Sequence, residues 1–385
     1  MNISMNNFTF HNLVSPIVGL SPMDGVTDCA YRVVVKKYGQ VDLLYTEFVN
    51  VHGLSLSIER LFEEFQYTEF QRPILSQIYG HEVEYFYPAA TVCLMLGFNG
   101  VDINMGCPAK KVSDRGAGAG LIQYPENAKN IILEVKRARE DFRNFWKGKK
   151  YSSELVNEYF IKSLSGLKDL KVNPLKLAGI VNSLIDKWEI NKEFITSNKR
   201  LSALTVSVKT RIGYDSENIE WWIKTLSEVS PDFIAIHGRT LKQMYTGSAS
   251  WEAIKKGVES TSIPVLANGD IKSHLDAKAC LDLTGAAGVL VGRGTYGDPS
   301  LISNTKKYLK EGITDFPSKE FSEIKKIILD HTILFTKFKG ERRFFEMRKN
   351  LAWSVQGFPN ASELRKKLVV TNTASEVENI LNNSL

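Results

Sequence analysis

The chain has no run of about 18 apolar residues, so no membrane-spanning helix is expected. It has only four cysteines, Cys29, Cys93, Cys107 and Cys280, widely spaced and without a Cys-x-x-Cys pair. That spacing argues against a zinc site or a disulfide framework, so no metal is expected and a reducing compartment is the natural one. The opening residues, MNISMNNFTF, lack the basic-then-apolar order of a secretory leader, which points to the cytoplasm. Low-complexity tracts are absent. No single-sign excess dominates either: 49 Lys and Arg stand against 43 Asp and Glu in 385 residues, a net charge of +6.

What is present is a core-forming composition, 43% hydrophobic and 24% charged, normal for a globular protein. The modest charge is unevenly spread. Residues 306–385 carry a net +5 and residues 139–203 another +5, which leaves −4 on the remainder of a chain of +6. Solvated lysine-rich helices would account for this, as would a polyanionic partner.

Short apolar, β-branched runs recur, each followed by a stretch of helical character: 16–23, 43–49, 74–79, 100–106, 204–211, 233–239, 264–269 and 288–294. Runs apolar on both faces suit a buried parallel sheet, and eight strand–helix units suit a closed (β/α)8 TIM barrel better than an open doubly wound sheet. The runs end in polar or glycine-rich residues, among them Pro22-Met23-Asp24, Gln77, Asn104 to Cys107, Lys209, His237, Asn268-Gly269-Asp270 and Gly292-Arg293. In a barrel these strand ends converge on one mouth, where an active site is expected. About a hundred residues separate the fourth and fifth runs, more than a barrel repeat needs, so 141–200 is expected to be an inserted helical lobe. After about 305 only helical patterns remain. The expected division is therefore a barrel, 1–305, and a basic helical unit, 306–385, suited to a polyanionic partner, which the resemblance drawn below implies to be RNA.

Gly292 to Gly297 fits GxGxxG after a strand, but no further strand follows as a dinucleotide fold would require. In a barrel the loops after strands seven and eight form a phosphate site from backbone N–H groups, and Asn268-Gly269-Asp270 and Gly292-Arg293 occupy those places. FMN is the economical ligand. The Pro22-Met23 turn would floor its ring, Gln77 would bond its carbonyls and Lys209 would stabilise its reduced, anionic form. His237 would reach phosphate or substrate. Cys107, held by Gly106 and Pro108 in a sharp loop, is placed to act as an acid or base. The glycine-rich 115–120 stretch would suit a mobile lid, a close approach of ligand or a flexible loop.

The segments SPMDGVTDCAYR, DINMGCPAKKV, VSVKTRIG, HGRTLKQMYTGSASW, IPVLANGDI and GAAGVLVGRGTYGDP, in this order, resemble the tRNA-dihydrouridine synthases. The resemblance covers about 1–140 and 204–370. It implies FMN held by Pro22, Met23, Asp24, Gln77, Lys209, His237, Asn268, Gly269, Asp270, Gly292 and Arg293. It further implies NADPH as reductant, Cys107 as proton donor, and Asn104, Arg239 and Tyr245 near the substrate. The implied reaction is reduction of specific uridines in tRNA by a monomer, with hydride from reduced FMN to carbon 6 and a proton from Cys107 to carbon 5. Ribosomal RNA and a free pyrimidine are the alternative substrates. The 141–200 insertion departs from the family's common bacterial members.

Overall fold

A computed structural model describes residues 16–384 except 57, 166, 168–171 and 357, and gives the backbone alone for 55, 56 and 58–60. The leader-free reading of residues 1–10 falls outside the described residues. Eight parallel strands follow the expected runs closely: β1 (Ile17–Leu20), β2 (Leu44–Asn50), β3 (Ile74–Tyr79), β4 (Gly100–Met105), β5 (Thr205–Arg211), β6 (Phe233–His237), β7 (Val265–Asn268) and β8 (Gly288–Val291). Their order, β1-β8-β7-β6-β5-β4-β3-β2, is that of a sheet rolled in sequence. Its two ends meet, because Asp42 N–H donates to Val18 O at 3.1 Å and Leu20 N–H to Leu43 O at 3.0 Å. The fold is a (β/α)8 barrel with helices outside and a helical C-terminal region.

Side chains alternate between the two faces of a strand, and that parity builds the site. Outward residues such as Val18, Ile78, Ile103, Val206, Val208, Ile234, Ile236 and Val289 join the main core against the surrounding helices. Ile17, Leu43, Tyr45, Leu75, Phe233, Ala235, Leu266 and Leu290 form a separate apolar cluster. Two residues further along β3, β5, β6 and β7 from members or neighbours of that layer stand Gln77, Lys209, His237 and Asn268. An apolar plug thus lies beneath a polar tier at the C-terminal strand ends, as parallel barrels require.

Past the short segments Lys110–Ser113 and Gly118–Gln123, the long β4–β5 connection runs through a helix ending at Trp146 (Pro125–Trp146) and continues in Ser153–Leu164, Pro174–Lys187, Lys192–Thr196 and Asn198–Ala203. Val156, Tyr159, Phe160, Leu177, Val181 and Ile185 are buried in the main core, so the insertion is packed onto the barrel flank. Its end reaches the face opposite the mouth. There the buried Arg200 guanidinium donates to Phe98 O, Leu94 O and Ile195 O, capping the approach to β4. Some of its positive charge is matched locally, Arg139 by Asp232 at 2.7 Å and Lys192 by Asp186 at 2.5 Å.

The C-terminal helices have their own apolar cluster, built from residues such as Ile328, Phe335, Phe344, Leu351 and Leu364, with Ala30 of the Cys29–Gly39 helix included. They sit beside the mouth. Trp353 stacks on Tyr296 at 3.8 Å between ring centroids and 7° between planes, and Lys349 donates to Gly25 O. The ring of His331 packs edge-on against Tyr31 at 5.7 Å.

Candidate active site

One cavity of about 510 Å³ opens at the C-terminal ends of the strands, a size that accommodates a small-molecule ligand. It is lined by Pro22, Met23, Asp24, Asn104, Cys107, Lys209, His237, Tyr245, Asn268, Gly269, Asp270, Gly292 and Arg293. Two expected residues, Gln77 and Arg239, are not in its wall but lie directly behind it. Gln77 is fully buried, donating through Nε2 to Asp102 Oδ2 at 2.7 Å and accepting from Asn104 Nδ2 at 3.0 Å, which leaves one N–H of its amide uncommitted. Arg239 is buried behind the wall, where its guanidinium holds Asp270 at 2.7 Å and Gly247 O at 2.6 Å. It braces the β7 loop through Nε and Nη2, while its Nη1 has no hydrogen-bond partner among the described residues.

Cys107 is nearly buried in a turn tied on both sides. Its N–H and that of Gly106 donate to Asn104 Oδ1 at 2.9 and 3.0 Å, and its carbonyl accepts from Ala119 N–H at 3.1 Å. The glycine-rich stretch is that carbonyl's wall. Gly118 has φ of +56°, and a Cβ there would meet Cys107 O at 2.9 Å, so only glycine fits. Burial pushes the Cys107 thiol up, with Asp24 adding to the rise and the Ala109 amide, Arg211 and Lys209 opposing it. A thiol held above its ordinary range stays protonated at neutral pH, which suits an acid rather than a nucleophile.

Lys209 and His237 reach the same cavity with opposite character. Burial, with Arg211 next to it, pushes the Lys209 amine down to about 8, so it remains largely a cation at neutral pH. His237 is pushed down to about 3, chiefly by burial and then by Lys209 and Arg211, and is neutral. Asn268 Nδ2 donates to Leu290 O at 2.8 Å, which turns its Oδ1 toward His237 Nδ1 at 2.9 Å. Nδ1 must then carry the proton, and the buried Nε2, without a partner among the described residues, is left as an acceptor.

The other half of the cavity is a backbone cradle. Gly269 and Asp270 have φ of +124° and +55°, and Gly292 leads into a single 3-10 turn, Arg293–Thr295, whose first amides have no acceptor within the turn. Arg293 lies at the edge, half exposed, 3.9 Å from Asp270 and 5.3 Å from the Tyr245 ring centroid. These features fit FMN: amides and Arg293 for a phosphate, the bare His237 Nε2 for a hydroxyl, and the Lys209 cation for an anionic ring edge.

Three residues outside the expected set contribute. Arg211 donates to Gly106 O at 2.7 Å and to Thr240 O and Met244 O at 2.9 and 3.1 Å, tying the Cys107 turn to the β6 loop. Its place two residues after Lys209 on the same strand was the available signal. Phe48 lines the cavity and meets Tyr79 edge-on at 5.0 Å beside Cys107. Asp102 lies beneath the site, and nothing in the linear sequence marked it.

A barrel whose thiol, amine, imidazole and backbone cradle converge on one mouth has the architecture of a barrel enzyme. The chain belongs to the dihydrouridine synthase family, whose model matches residues 19–143 and 178–385 and leaves unmatched part of the β4–β5 insertion. It is 28% identical over its whole length to a probable tRNA-dihydrouridine synthase 1 of Synechocystis, covering 89% of that protein. It is 29% identical over 90% of its length to tRNA-dihydrouridine synthase B of Vibrio vulnificus, covering 88% of that one. A probable tRNA-dihydrouridine synthase of Staphylococcus aureus is 27% identical over 96% of this chain and 93% of its own length.

Proposed function

We propose that the protein reduces uridines in tRNA to 5,6-dihydrouridine, with FMN as cofactor and NADPH as the source of electrons. The observation that carries the reading is a thiol, Cys107, pinned in the wall of a cavity that also holds the Lys209 amine and a glycine-rich backbone cradle. FMN, when bound, supplies a hydride to carbon 6 of the uracil. Negative charge then develops on carbon 5 and the 4-carbonyl, and Cys107 delivers its proton to carbon 5, leaving a thiolate that solvent reprotonates. Lys209 offsets charge on the cofactor's ring. A stacked base cannot enter a cavity at a barrel mouth, so the uridine is flipped out.

The bulk of the RNA must be held outside the cavity. The exposed Lys110 and Lys111, just past Cys107, and the C-terminal helices beside the mouth support a binding face there. The division into a catalytic unit, 1–305, and an RNA-anchoring unit, 306–385, is part of this proposal. The test is to incubate the FMN- and NADPH-supplied protein with tRNA lacking dihydrouridine, with ribosomal RNA and with free uracil, and to quantify dihydrouridine by mass spectrometry. Product in tRNA alone, lost by about 10²–10⁴ in rate in Cys107→Ala, is the expected result. Product only from ribosomal RNA or uracil would replace the substrate, and an undiminished Cys107→Ala rate would remove Cys107 from the mechanism.

A further inference from the structure

Inside the barrel, Gln77, Asp102 and Ser207 stand in one row, because the register pairs Gln77 with Asp102 and Asp102 with Ser207 across β3, β4 and β5. Asp102, Gln77 and Ser207 are fully buried and touch no part of the cavity, yet Asn104, two residues on from Asp102, lines it. We propose that Asp102 is a positioning residue for Cys107, acting through Gln77 and Asn104 to fix the turn that presents the thiol. This rests on the reading of Cys107 as the proton donor.

The argument is one of hydrogen-bond polarity. A carboxylate only accepts, so Ser207 Oγ, at 2.5 Å, and Gln77 Nε2, at 2.7 Å, must both donate to Asp102. With its Nε2 committed, Gln77 turns Oε1 the other way, and Oε1 can only accept, from Asn104 Nδ2 at 3.0 Å. With its Nδ2 committed, Asn104 turns Oδ1 toward the N–H groups of Gly106 and Cys107. Each link forces the next. If either amide turned over, an NH2 would face another donor, and the Cys107 turn would lose the acceptor for two of its amides. Burial pushes the Asp102 carboxyl up to about 6, against the two hydrogen bonds and Lys209, so at neutral pH it is still ionised and the polarity is set.

Asp102 also faces the Lys209 charge, so the test must separate the relay from electrostatics. Asp102→Ala breaks the relay and removes the charge. Asp102→Asn removes the charge alone, since an Asn carbonyl can still accept from Gln77 while its NH2 turns to Ser207 Oγ. Gln77→Met cuts the relay one link on and keeps the bulk and the Asp102 side chain. The measurements are kcat and KM for tRNA, FMN content, and the rate of Cys107 alkylation by iodoacetamide, each in the FMN-loaded full-length protein.

The relay predicts that Asp102→Ala and Gln77→Met lose about 10- to 100-fold in kcat, the scale of a misplaced reacting group, with KM within threefold. Alkylation of Cys107 should quicken severalfold as its turn loosens, and Asp102→Asn should keep kcat and alkylation within threefold of the parent. An Asp102→Asn variant that falls as far as Asp102→Ala would overturn the proposal in favour of the charge on Lys209. Unchanged kcat and alkylation in Gln77→Met would overturn it as well, and this arm stands even if Asp102→Ala does not fold. Should Cys107→Ala keep full activity, the functional reading of Cys107 fails separately, and the alkylation rates alone then decide the relay.

Discussion

The junction between the C-terminal helices and the barrel makes a quantitative prediction through His331. This histidine is buried on the Phe321–Lys339 helix, edge-on to Tyr31, and its Nε2 has no hydrogen-bond partner among the described residues. Burial pushes it down to about 4, with Asp28 opposing, against about 6.5 in an unfolded chain. Below pH 6.5 the unfolded chain takes up a proton that the native state refuses until about pH 4. Stability is therefore lost as the pH falls through that window and the loss levels off below it. At about 1.36 kcal/mol per unit, the loss is about 2 kcal/mol at pH 5 and about 3 in full. His331→Phe keeps a ring against Tyr31 and removes the titration. Urea unfolding of both proteins at pH 7.5 and pH 5.0 should show the parent losing about 2 kcal/mol more than the variant, since His237 and the carboxylates are common to both. Equal losses would refute the claim that His331 is neutral and desolvated in this junction.

Arg293→Ala should weaken FMN about tenfold in a fluorescence titration, a loss of about 1.5 kcal/mol, at the low end for a charge-assisted bond because half of the side chain meets water. Gly118→Ala should cost at least about 1–2 kcal/mol in urea unfolding, for the left-handed backbone and the close Cys107 carbonyl, and should lower kcat by displacing that residue. Lys110→Glu with Lys111→Glu should reduce the slope of log tRNA affinity against log salt by about 1.5, two phosphates' worth, whereas Lys187→Glu on the inserted helices should leave it unchanged. A slope that responds to Lys187 and not to the lysines beside Cys107 would move the RNA to the barrel flank.

The barrel was legible in the sequence because its signal is local. Near-continuous apolar runs can be buried on both faces only in a parallel sheet, and eight of them close. Parity then carried Lys209, His237 and Asn268 to the mouth, since a strand fixes which face each residue takes. Cys107 was legible for the same reason, as the first polar group past β4 in a glycine–proline turn. What the sequence could not carry is which polar groups satisfy one another. Gln77 sits near a strand end as Lys209 does, but its amide also bonds Asp102 and Asn104, and Arg239, in a substrate-like motif, also holds Asp270. These pairings join residues 25 to 31 positions apart and depend on the register between neighbouring strands. The insertion shows the same division. Its helices were readable from periodicity, but which faces meet was not: Tyr159 packs on Phe142, Phe145 and Trp146 of the preceding helix, a contact set by how the chain doubles back on itself.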